Sequence, residues 1–313
     1  MTNKPDAYAS ASAVEQAIKD AAKAAHRNDP SRQVNDLIRQ AYYDRFLSRV
    51  FSDRDASEWV LKGGTGMLAR VPQARRTLDI DLVREGYDKD QGLADLLRLA
   101  KRDLGDFFRF VYTSHTDTIA GETQPYADGY KVYFDVYLGV KLVDKLKVDL
   151  SAHQTPIGAS HLVEPANRLA LPRLVSHPYR LYPIPEQVAD KVCASLTVYD
   201  GKPSSREKDL VDLVVIALTQ IVDSELAGAA LRHEARMRRL TLPGKFTLPS
   251  TWGASYAKLA KSTRASGHTI ADAQALMSAF IDPLLMQSVP RATWDPVTRT
   301  WVTRAHDPEP QTW

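Results

Sequence analysis

The chain has 313 residues, 44% of them apolar and 25% charged. That is ordinary globular composition and excludes a disordered, collagenous or coiled-coil protein, while the length exceeds one average domain. Lys and Arg number 41 against 38 Asp and Glu, a net charge of +3, which forces no nucleic-acid partner but leaves room for a local basic face. The single cysteine, Cys193, has no partner for a disulfide or a Cys-rich zinc site, so a reducing, cytoplasmic setting is expected. The N-terminus lacks the apolar core of a signal peptide. The longest apolar stretch, Leu210 to Val222, is short and interrupted by Asp212 and Gln220, so no membrane partner is expected.

In chain order, Ala11 to Ala25 and Gln33 to Phe51 read as helices separated by Asp29-Pro30. The second carries Val34, Leu37, Ile38, Ala41, Tyr42, Phe46 and Val50 as an amphipathic stripe. From Trp59 a short apolar run stops at Gly63-Gly64, and Thr65 to Arg70 is a short helix candidate. Leu78 to Val83 alternates with period two and reads as a strand. Gln91 to Leu104 looks helical, and strand-like runs follow at Phe107 to Thr113, Tyr130 to Leu138 and Leu146 to Leu150. Helices are then expected at Ile184 to Asp200, Ser204 to Val222 (capped by Ser204 or Ser205), Ser224 to Leu240, Trp252 to Ala260 and Ile270 to Met286. The expected class is α+β, a small mixed sheet with N-terminal helices and a larger C-terminal helical region. The expected division is helices over 1–51, an α/β core over 52–155, a helical domain over 156–290 and an irregular, Pro-containing tail over 291–313.

The chemistry concentrates between residues 61 and 81. On a strand, residues two apart share a face, so Asp79 and Asp81 project together while Ile80 enters the core. Two adjacent carboxylates repel, and a divalent cation relieves the repulsion. Mg²⁺ suits a few carboxylates combined with substrate phosphate oxygens. Gly63 and Gly64 allow a tight turn and close approach to a ligand, and amides leading into a helix bind phosphate. Thr65 and Thr77 add hydroxyls, and a modification on either would set negative charge against the two acids. Asp149, on Lys147-Val148-Asp149-Leu150, is the best third acid, able to ligate the second metal and accept the proton of an attacking hydroxyl. This is the minimum set for phosphoryl or nucleotidyl transfer. Lys62 and Arg76 flank it, either touching phosphate or serving as ordinary surface charge.

Further on, Lys191 sits among Val188, Val192 and Leu196, off any obviously polar face. Asp209 and Asp212 share one side of a helix and could hold it, with or without a ligand. The window Leu231 to Arg264 holds eight basic residues, Arg232, Arg236, Arg238 and Arg239 among them, against Glu234 alone. Trp252 and Tyr256 lie within it. Such a stripe fits an RNA backbone with aromatics free to stack on bases, or else a solvated helix face. No zinc-binding His pair, Walker loop or nucleophile elbow is present.

Leu61-Lys62-Gly63-Gly64-Thr65 followed by Arg76-Thr77-Leu78-Asp79-Ile80-Asp81-Leu82 resembles the AbiEii-type nucleotidyltransferases, which include the MenT toxins, within the DNA polymerase β-like superfamily. Asp190-Lys191-Val192-Cys193-Ala194 and Arg206-Glu207-Lys208-Asp209-Leu210-Val211-Asp212-Leu213 extend the likeness to residues 58 to 220. The resemblance implies metal on Asp79 and Asp81, triphosphate on Gly64 and Thr65, its charge neutralised by Lys191, and a pocket shaped by Asp209 or Asp212. It also implies a toxin that transfers a nucleotide from a nucleoside triphosphate to the 3′ end of tRNA, blocks aminoacylation and is opposed by a cognate antitoxin. The alternatives are transfer to a protein or small-molecule hydroxyl, and an inactive RNA- or antitoxin-binding module of the same fold.

Overall fold

The computed structural model describes residues 7–86, 88–117, 128–153, 160–198 and 204–304. The chain falls into two compact units, Met1–Pro183 and Ile184–Trp313.

The first unit opens with α1 (Ala11–Asn28) and α2 (Val34–Val50). The Ser10 side chain caps α1 by accepting from the Ala13 amide, and Val14, Ile18 and Ala22 form its buried stripe. Then come β1 (Trp59–Lys62), α3 (Gly63–Arg70), β2 (Ile80–Glu85) and α4 (Lys89–Ala100). The strands β3 (Phe108–Thr116), β4 (Asp128–Leu138), β5 (Lys141–His153), β6 (His161–Val163) and β7 (Tyr179–Leu181) complete it. They form one seven-stranded mixed sheet in the order β3-β4-β5-β2-β1-β7-β6. Among its central pairs, β2 runs parallel to β5 and antiparallel to β1. One apolar core joins Val14, Leu37 and Phe46 of the helices to Phe110, Phe134 and Val148 of the sheet. Beyond the expected core limit at 155, β6 and β7 extend this sheet through the Pro- and His-containing loops.

The amphipathic reading of α2 is too narrow. Every residue from Ala41 to Val50 is buried, including Asp44, Arg45 and Arg49. Arg49 donates two bonds to the Asp106 carboxylate and one to the Phe108 carbonyl, and Arg45 donates to the Val175 carbonyl. Long-range partners satisfy charges that local spacing would assign to solvent.

The second unit contains α5 (Ile184–Leu196), α6 (Glu207–Thr219), β8 (Val222–Asp223), α7 (Ser224–Met237), α8 (Gly253–Ala260), α9 (Ile270–Phe280), α10 (Asp282–Leu285), β9 (Ala292–Asp295) and β10 (Thr300–Thr303). Arg206, not a serine, stands at the α6 N-cap, while the Ser204 hydroxyl donates to the Ala194 carbonyl. Residues 199–200, expected to end the preceding helix, lie outside the described residues. The helix expected over Ile270 to Met286 breaks at Ile281, before Pro283, whose ring nitrogen has no hydrogen to donate. The expected irregular tail is a hairpin as far as Thr303, joined to β8 in a three-stranded sheet. Trp294 holds it in place, fully buried with its indole N–H on the Ala217 carbonyl, and Trp301 stacks on Phe280. Residues 305–313 of that tail lie outside the described residues. Among the described residues, no helix is long and apolar enough to cross a membrane.

Candidate active site

The Gly63-Gly64 turn lies where β1 ends, and α3 begins directly at Gly63. Gly63 takes φ of +61°, in the region that favours glycine. A β-carbon there would stand 1.9 Å from Asp81 Oδ2, so the Asp81 carboxylate occupies the space a side chain would need. A β-carbon on Gly64 would stand 2.9 Å from the Thr77 side chain and 3.4 Å from an Arg75 nitrogen. The two glycines thus admit both the acid and the Thr77 loop against the start of α3. No acidic side chain lies in the first turn of α3, and no side chain caps it. That end suits an anion.

Asp79 is not on the strand, as the alternation predicts, but in the bend before it, because β2 begins at Ile80. Four contacts keep it off the ladder. The Thr65 hydroxyl donates to the Asp79 carbonyl at 2.7 Å, and the Thr77 hydroxyl donates to the Asp79 carboxylate at 2.8 Å. The Tyr43 hydroxyl of α2 donates to the Leu78 carbonyl at 2.8 Å. Lys147 Nζ donates to Asp79 Oδ2 at 3.3 Å. Leu78 is consequently exposed rather than packed in a strand.

Asp81 is on β2 and lies in register with Asp149 on β5 and with Lys62 on β1. The same Lys147 ammonium stands 3.4 Å from Asp149 Oδ1. That oxygen is buried and accepts no hydrogen bond among the described residues. Burial raises the Asp149 carboxyl above the ordinary carboxylate range; Lys147 opposes this and Asp79 adds to it. For Lys147, burial alone would lower the pKa, and the Asp149 and Asp79 carboxylates reverse it. Arg76 is exposed and pairs with Asp36 at 2.9 Å. Gly63, Gly64, Thr65, Thr77, Asp79, Asp81 and Asp149 therefore meet at one end of the sheet.

The donor set is carboxylate oxygen, which suits a hard divalent cation. Among the described residues, no three His, Cys, Asp or Glu side chains are grouped as a metal site. An amine lies between two of the acids instead. The carboxylates match a divalent ion in donor chemistry, and the Lys147 ammonium lies between Asp79 and Asp149. Sequence reading missed Lys147, Arg75 and Tyr43. Only Lys147 left a signal, two residues before Asp149 and so on the same strand face.

In the second unit, Lys191 is almost fully buried on α5. It donates to Asp209 Oδ1 at 3.0 Å and to Asp212 Oδ2 at 2.6 Å, both on α6. Arg206 donates to the other Asp209 oxygen at 2.5 Å. Burial alone would raise the Asp209 pKa, but Lys191 and Arg206 outweigh it and hold the carboxyl well below the ordinary range. The expected salt bridge forms with both acids.

The basic window is narrower than its sequence suggests. Trp252 and Tyr256 are buried in the core, with the Trp252 indole N–H on the Ser204 carbonyl, so neither is available to stack on a base. Arg238 is nearly buried and paired with Asp190 and Glu234. Arg232, Arg236 and Arg239 remain exposed.

A family model described as nucleotidyl transferase AbiEii toxin, type IV toxin–antitoxin system, matches residues 45–295. The structure is similar to that of MenT4, a nucleotidyltransferase toxin from Mycobacterium tuberculosis, at 16% identity and a TM-score of 0.50, covering 82% of this chain and 93% of that one. It also matches JHP933 from Helicobacter pylori at 16% identity and a TM-score of 0.42, covering 80% of this chain and 93% of that one. Among curated proteins, none matches by sequence.

Proposed function

Because the chain belongs to the AbiEii family of nucleotidyltransferase toxins from type IV toxin–antitoxin systems, we propose that it moves a nucleoside monophosphate from a nucleoside triphosphate onto the 3′ end of tRNA and so blocks aminoacylation. The observation that carries this reading is the meeting of Asp81 and Asp149, in register on neighbouring parallel strands, with the glycine turn and the tethered Asp79. The amides at the start of α3 bind triphosphate oxygens, and Gly63 and Gly64 let the phosphates approach the backbone. Asp149 takes the proton of the acceptor hydroxyl as that oxygen attacks the α-phosphorus. The bond to the bridging oxygen breaks and pyrophosphate leaves with its electron pair.

Asp79, Asp81 and Asp149 would hold Mg²⁺, which would supply positive charge against the phosphate oxygens. Lys62 and Arg76 add electrostatic attraction at the rim. Arg232, Arg236 and Arg239 supply backbone contacts for RNA, and a cognate antitoxin neutralises the activity in the cytoplasm.

Incubation with Mg²⁺, each of the four triphosphates in turn and purified tRNA tests the proposal on a sizing gel. At least one triphosphate lengthens the tRNA, and Asp81→Ala abolishes the extension with little change in melting, since it removes one of several repelling carboxylates. Label appearing only in protein would remove tRNA as acceptor. No transfer to any acceptor, with cellular toxicity intact in Asp81→Ala, would remove the transferase chemistry.

A further inference from the structure

We propose that Lys147 is a resident cation, which occupies the acidic cluster while no metal is bound and swings out when a divalent ion enters. The inference rests on the reading of Asp79, Asp81 and Asp149 as the metal-holding acids. Lys147 and Asp149 share one face of β5, while Val148 between them is buried and lies in register with Ile80 in the core. The Lys147 ammonium stands 3.3 Å from Asp79 Oδ2 and 3.4 Å from Asp149 Oδ1. It is thus nearly equidistant from two acids on different segments, the position a bridging cation takes. Without it, these two acids would repel each other and the neighbouring Asp81.

The ammonium and a divalent ion cannot share that space, because like charges at that range repel strongly. Lys147 has a way out. Its side chain is 34% exposed, and a flexible four-carbon stem lets the ammonium reach solvent while its methylenes stay packed. Lysine suits this role better than arginine. An ammonium forms a point contact and leaves readily, whereas a guanidinium would clamp the carboxylates in a fixed fork. The consequence is regulatory. The cluster keeps its shape without metal, and metal affinity is set by competition with a tethered amine.

The test titrates Mn²⁺, whose bound fraction is read by electron paramagnetic resonance, into the full-length protein and two variants. Lys147→Met binds Mn²⁺ about fivefold more tightly, the worth of one half-exposed ion pair, and Lys147→Arg binds it more weakly than wild type. Without metal, Lys147→Met melts below wild type, and saturating Mg²⁺ raises its melting temperature by more than it raises that of wild type. In the wild-type protein, which needs no folded variant, Mg²⁺ increases the rate at which an amine-reactive reagent labels Lys147, read by mass spectrometry against the other lysines. Equal Mn²⁺ affinity in wild type and Lys147→Met, or a Lys147 labelling rate unchanged by bound metal, overturns the proposal. Absence of Mn²⁺ binding in wild type and both variants overturns it together with the metal-site reading beneath it.

Discussion

Each unit holds one lysine against two aspartates, and the two clusters differ in almost every physical respect. In the second unit, Lys191, Asp209 and Asp212 have side chains 4%, 3% and 0% exposed, with contacts of 3.0 and 2.6 Å. In the first, Lys147, Asp79 and Asp149 are 34%, 33% and 15% exposed, with contacts of 3.3 and 3.4 Å. The buried triad is short, closed and tied to two helices. The open cluster is longer and partly exposed, beside a glycine turn. A buried lysine cannot leave without stranding its partners, whereas a half-exposed one can. The same residue types make a fixed joint in one place and an exchangeable site in the other.

The largest test of that contrast removes the buried cation. Lys191→Met removes the cation shared by two buried carboxylates, with Arg206 still on Asp209, and costs about 3–5 kcal/mol of stability, measured as a fall in the urea midpoint. A midpoint near that of wild type would show that the triad is not a structural joint. Lys147→Met, by comparison, costs far less, because Lys147 and Asp79 are each about a third exposed and water screens their pairing.

A glycine pair sharpens the contrast next. Gly63→Ala and Gly105→Ala both place a side chain at positive φ, and the backbone strain alone costs each about 1–2 kcal/mol, since the two residues have φ of +61° and +67°. Only at Gly63 does the new β-carbon meet the Asp81 carboxylate; at Gly105, beyond its two chain neighbours, none of the described residues comes within 4 Å of one. Nucleotide transfer therefore falls about 100-fold in Gly63→Ala, the scale of a displaced catalytic group, and stays near wild type in Gly105→Ala. Equal activities would separate the turn from the chemistry.

The smallest effect is in pH dependence. Folding lowers the Asp209 pKa from its ordinary 3.8, so its ion pairs contribute stability that is present above that value and lost as pH falls through the lowered one. The stability difference between wild type and Asp209→Asn should hold steady from neutral pH down to the ordinary carboxylate value and shrink only below it. Shrinkage already near neutral pH would contradict the tight pairing with Lys191 and Arg206.

The sequence by itself determined most of the helices and the longer strands, and it singled out the candidate acids. Alternation over Leu146 to Leu150 and three- or four-residue spacing in the helices are local properties, set by burial of one face. Asp81, Asp149 and the glycine turn could be named because strand period and glycine conformation are also local. What only the tertiary structure decided was partnership. Asp79 left the strand because Thr65 and Tyr43, from two other segments, together with Thr77 just before it, captured it and the residue before it. Lys147 came to Asp79 across 68 residues of chain. Trp252 and Tyr256, read as stacking aromatics, entered a core that no spacing revealed, and Arg49 found Asp106 in the interior. A charged or aromatic side chain exposes its choice between solvent and partner only once distant segments close around it, because the energy that decides is the desolvation those segments impose.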